Sequence, residues 1–158
     1  MAKEKNSWKK GRGKLGALSP LLGSWVAEAS SPMGKLTCTR VLEPILSGNY
    51  IQLTAIWTFD KFAYTEHAIF GIHEDKLSFW SFTSDGKKSQ GAIADGTDIH
   101  PEAICFEAQM PAGLARMIYW PNPDGGFNWA VETKRVGTDL QFIIINLNKK
   151  RTPRLINT

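Results

Sequence analysis

Arg40 and Arg116 are the residues of this chain whose type and position combine most readily into chemistry. Each shares the parity of apolar neighbours in an alternating run: Arg40 with Leu36, Cys38 and Leu42, and Arg116 with Leu114, Ile118 and Trp120. A guanidinium on an apolar face is costly unless paired, and it offers a rigid fork to a carboxylate or phosphate. An internal carboxylate such as Glu107 or Glu132, ordered water or a ligand's acid group must answer both arginines. His67, on the less apolar face of its segment, poses the same choice. Trp57, Trp80 and Trp129 are core-packing rings that could also line a ligand cavity. Arg40, Trp57, His67, Trp80, Arg116 and Trp129 therefore form the candidate ligand-binding set.

Other chemistries find no foothold. The chain has no Gly-x-Ser-x-Gly, no phosphate loop and no His-Glu-x-x-His, so no catalytic residue is assigned. His67 and His73 stand six residues apart in one run. On a single strand that is roughly 20 Å, too far to share a metal ion, and no metal site is expected. His100, before Pro101, reads as a surface residue. An enzyme of isomerase or hydrolase type would need His67 or a glutamate such as Glu66 as its base, perturbed within a pocket. Cys38 and Cys105 lie in different segments without metal or disulfide spacing.

The segments that must position these residues are short, alternating and turn-bounded. A helical turn over Ala17–Leu22, interrupted by Pro20, precedes strands expected at 24–29, 36–42, 50–59, 63–72, 77–83, 88–94, 104–108, 114–120, 127–135 and 140–146. Glu43-Pro44 reads as the end of the second strand, and Ser84-Asp85-Gly86 as a hairpin turn. Short connections force antiparallel neighbours. Closure would remove the two edges such a meander leaves exposed. The expected fold is all-β: a single antiparallel up-and-down β-barrel of about ten strands with a short N-terminal helical turn. A two-sheet sandwich would need long crossing connections, which the chain lacks.

Gly23-Ser24-Trp25 opens the first strand, where glycine permits a reversal after the helical turn and the Trp ring plugs one end. Gly-x-Trp at this place resembles the hallmark of the calycin superfamily, the lipocalins and fatty-acid-binding proteins, and the chain looks most like small bacterial lipocalin-like domains. The resemblance spans roughly 18–151. It implies that a basic residue ending the last strand covers Trp25, a place held by Lys149, Lys150 and Arg151. It also implies lumen arginines holding a ligand's carboxylate, a role that falls to Arg40 and Arg116. The nitrobindins share this kind of barrel, but their haem-binding histidine lies late in the chain. Here no histidine follows His100, so no cofactor is expected.

Charge is unevenly spread. Lys3, Lys5, Lys9, Lys10, Arg12 and Lys14 crowd the start, and Lys149, Lys150, Arg151 and Arg154 the end. The stretch between them holds 9 basic and 14 acidic residues, a poor surface for a phosphate backbone. No nucleic-acid partner is expected. No run approaches the length of a membrane span and no secretory h-region follows Met1, so a cytoplasmic protein is expected. The domain organisation reads as a flexible basic leader over 1–16, a lipocalin-like barrel over 17–151 and a tail over 152–158. The expected function is binding of a small apolar ligand, with or without an anionic head group, in the lumen, in preference to an enzyme in the same cavity or a solid-cored protein-interaction domain. Oligomeric state is not legible.

Overall fold

The structure, a computed structural model, describes residues 7–31, 34–110, 113–135 and 141–149, the last of these as backbone. It is all-β and antiparallel. After a 3-10 turn at Gly16–Leu21 come β1 (Gly23–Ser31), β2 (Gly34–Ile45), β3 (Tyr50–Thr58), β4 (Ala63–His73), β5 (Lys76–Thr83), β6 (Lys88–Ala94), β7 (Ile104–Met110), β8 (Gly113–Pro121), β9 (Phe127–Arg135) and β10 (Gln141–Lys149). Each strand from β1 to β9 pairs antiparallel with the next, and the up-and-down sheet curls around a common interior. β10 continues the meander, pairing with β9 from Gln141↔Thr133 to Leu147↔Phe127. The strong twist of antiparallel strands drives such curling. No described helix is long and apolar enough to cross a membrane.

Period-2 alternation decides which side chains enter. Cys38, Arg40 and Leu42 of β2 face inward with Ile51, Leu53 and Ala55 of β3, Ala68 and Phe70 of β4, Phe79 and Ser81 of β5, Phe106 of β7, Tyr119 of β8 and Trp129 of β9. Phe70, Phe79 and Phe106 pack as a ring cluster, with centroids 5.2 to 6.3 Å apart. Gly91 in β6 makes that packing possible, because a Cβ there would lie 2.1 Å from the Glu107 carbonyl oxygen and 2.8 Å from the Phe79 ring.

One end is sealed by the leader. Leu18 and Leu21 of the 3-10 turn are fully buried. Trp25 donates its Nε1–H to the Leu21 carbonyl oxygen at 2.8 Å and meets Phe127 edge-on at 4.7 Å. Gly23, at φ +122°, makes the reversal between turn and strand that a side chain would strain. Trp8 joins the same end: its ring lies 6.3 Å from Phe127, and its backbone N–H donates to Glu102 Oε1. The part of the expected flexible leader around Trp8 is therefore docked. Residues 1–6, Lys150, Arg151 and the expected tail lie outside the described residues.

Two strands end three residues beyond the sequence expectation. β2 runs through Pro44 to Ile45, opposite Ile51 and Tyr50 of β3. Pairing with β1 stops at Gly23↔Leu42, so Pro44 lies where β2 is a local edge and owes no N–H to a ladder. β10 extends to Lys149, three residues beyond the expected end.

A second, smaller buried cluster lies on the outer face. Cys105, Ile118 and Ala130 are fully buried there on β7, β8 and β9, and none belongs to the interior core. The β6–β7 loop lies over them: a Cβ on its Gly96 would meet Cys105, Ala103 and Ile118 side-chain atoms within 3.6 Å.

Candidate ligand cavity

The interior is not filled to its open end. A cavity of about 480 Å³ lies between Trp57 and Tyr64 on β3 and β4, Phe79 and Ser81 on β5, Ala108 on β7, Ala115 and Met117 on β8, and Trp129 and Val131 on β9. Its mouth is bordered by Thr83, Lys87 and Lys88 at the β5–β6 turn and by Gly113 and Leu114 at the start of β8. The volume falls within the range of small-molecule sites, and the lining is mainly apolar with few polar groups, as such sites are.

The polar groups are layered. Arg40, Ala55 and Glu66 stand directly opposite one another on β2, β3 and β4, all on the inner face. Ala55 is small, which leaves room for the two long side chains on either side of it. Glu66 lines the cavity, and its Oε2 accepts the Ser81 hydroxyl at 2.8 Å. Arg40 is 0% exposed and lies outside the cavity lining. Its Nη2–H donates to the Tyr119 hydroxyl at 2.8 Å, and its guanidinium carbon lies 4.8 Å from the Trp129 ring centre and 5.7 Å from that of Tyr119. Such cation–π contacts return part of the lost hydration.

Among the described residues, Arg40 Nε and Nη1 and Trp129 Nε1 meet no acceptor in hydrogen-bonding geometry. Burial opposes the Arg40 charge, but Tyr119, Glu66 and Cys38 outweigh it, and the pKa of Arg40 stands above its ordinary value. Burial raises that of Tyr119, against the lowering effect of Arg40. Burial likewise raises that of Cys38, with Arg40 again opposing.

Arg40, Trp57 and Trp129 are thus brought together inside, and Trp57 and Trp129 line the cavity with ring centres 5.3 Å apart. The other three candidates lie on the outer face. His67 is exposed between Thr54 and Phe82 on the neighbouring strands. Trp80 meets His73 edge-on at 5.9 Å, two positions from His67 in register.

Arg116 corrects the expectation most clearly. It points outward, where Nη1 and Nη2 grip Asp98 at 2.9 and 2.8 Å and Nη2 also reaches Glu132 at 2.7 Å. These bonds raise the pKa of Arg116 and hold that of Asp98 below the ordinary carboxylate value. The arginine clasps the β6–β7 loop to β9, and Glu132 is the internal partner the sequence offered for it. Beneath the clasp, burial pushes the Cys105 thiol up to about 11.

Residues the sequence set omitted complete the wall: Tyr64, Ser81, Met117 and, in a binding role, Glu66. The parity of Glu66 with Ala68 and Phe70 was the available signal. No protein-family model matches the chain, and no curated protein matches it.

Proposed function

We propose that the protein is a non-catalytic binding protein of calycin type that holds one small, largely apolar molecule inside a closed ten-stranded barrel. Closure is supported by the backbone of Trp25 and Val26 lying opposite Lys149 and Asn148 of β10, which leaves neither end strand of the meander without a partner. The calycin likeness is supported by Trp25 itself, buried at the sealed end against Phe127 and tied to Leu21. The observation that carries the binding reading is the cavity of about 480 Å³ between Trp57 and Trp129, which a solid-cored domain would not keep. Free, buried Cys38 and Cys105 suit a reducing compartment and support a cytoplasmic location.

An enzyme in the same cavity has less support. His67 points away from the cavity, and Glu66 is bonded to Ser81 with no histidine or cysteine among the described cavity-lining residues. Native mass spectrometry of the purified full chain tests the reading. A bound small molecule, lost on unfolding, is expected; a chain that is consistently empty, and that takes up no apolar compound added in excess, would overturn it.

A further inference from the structure

We propose that the cavity selects an occupant bearing a protonated amine, seated against Glu66 between the rings of Trp57, Tyr64 and Trp129. The proposal rests on the reading of the cavity as a ligand site, and it assigns the head group that this ligand carries. Among the described residues, Glu66 is the one acidic side chain that lines the cavity; Lys87 and Lys88 line it from the exposed β5–β6 turn. Ser81, only 2% exposed, spends its hydroxyl on Oε2 and so fixes the carboxylate's orientation, leaving Oε1 as an acceptor.

The walls beside it suit a cation. Tyr64 precedes Glu66 by two residues on the same face of β4, and Trp57 stands directly opposite Tyr64 on β3. Trp129 lies 5.3 Å from Trp57. Aromatic faces around a carboxylate are the surroundings in which a desolvated ammonium group is held, by charge-assisted hydrogen bonding and by attraction to the ring faces.

The same geometry disfavours an acid. Arg40, the buried cation that would have answered a carboxylate, is 0% exposed and lies outside the cavity lining, against Tyr119 and the Trp129 ring. An acid that passed Lys87 and Lys88 at the mouth would meet Glu66 on the wall, as a like charge. An apolar body with an amine end satisfies both the apolar lining and the one carboxylate on it.

Isothermal titration of the full chain near neutral pH with hexylamine, hexanol and hexanoate tests this. Hexylamine should bind at least about tenfold more tightly than hexanol, the scale of one charged hydrogen bond, and hexanoate should bind most weakly. Glu66→Gln, whose amide oxygen can still accept from Ser81, should abolish the preference for hexylamine over hexanol. Ser81→Ala, which leaves the carboxylate in place, should keep the preference. Tighter binding of hexanoate, or a preference for the amine that survives Glu66→Gln, would overturn the proposal while leaving the cavity a ligand site. If none of the three binds, the ligand-site reading fails with it. Should Glu66→Gln not fold, the order of the three probes on the unmodified chain decides.

Discussion

The guanidinium of Arg40 lies over the Trp129 ring, 4.8 Å from its centre, and its Nη2–H donates to the Tyr119 hydroxyl. A cation so placed fills space as much as it carries charge. A buried charge that is incompletely paired adds little net stability, whereas the volume it occupies does. Arg40→Ala is therefore expected to cost about 3–5 kcal/mol by leaving a hole. Arg40→Met, similar in length and apolar, should retain most of the stability or exceed it. Urea denaturation of both variants separates the two contributions; equal losses would show that the charge, not the volume, is what the fold requires.

Trp25 is the plug of the sealed end, packed on Phe127 and bonded to Leu21. Trp25→Ala should lose about 3–5 kcal/mol in chemical denaturation, the scale of a buried aromatic truncation. A loss below about 1 kcal/mol would remove Trp25 from that role.

The Arg116–Asp98 clasp predicts a pH dependence. Asp98 is held below its ordinary value by the Arg116 hydrogen bonds. Its contribution to stability is therefore fully present above the ordinary value near 3.8 and is lost as pH falls through the lower folded value. Melting temperatures of the unmodified chain and Asp98→Asn should differ at neutral pH and converge in acid. A difference that persists unchanged at the lowest pH would show that Asp98 acts by some means other than its charge.

Parity carried much of the fold and only part of the site. The alternation in β3, with Ile51, Leu53, Ala55 and Trp57 on one side, gave the inner face directly, and Arg40 and Trp129 followed from the same rule. Arg116 did not, because its apolar neighbour Ile118 is buried on the outer face, under the β6–β7 loop. Alternation reports that a face is covered; it does not tell a barrel interior from an outer face roofed by a distant loop. β5 shows the same limit. Phe79 points inward and Trp80 outward, and both faces of that strand carry aromatic rings. Glu66 was legible only as a potential base, since its pairing with Ser81 and its place beside Trp57 and Tyr64 depend on register across three strands.

Whether the interior holds a ligand is decided by filling it. Ala115 lines the cavity on β8, and Ala115→Phe would place a ring in that space. Both proteins would be titrated with the neutral apolar fluorophore N-phenyl-1-naphthylamine, following quenching of tryptophan emission, since Trp57 and Trp129 border the cavity. The unmodified chain should bind one probe with strong quenching, and Ala115→Phe should bind at least about tenfold more weakly at comparable melting temperature. Equal affinity and equal quenching in the two proteins would place the probe elsewhere and contradict a ligand-binding interior.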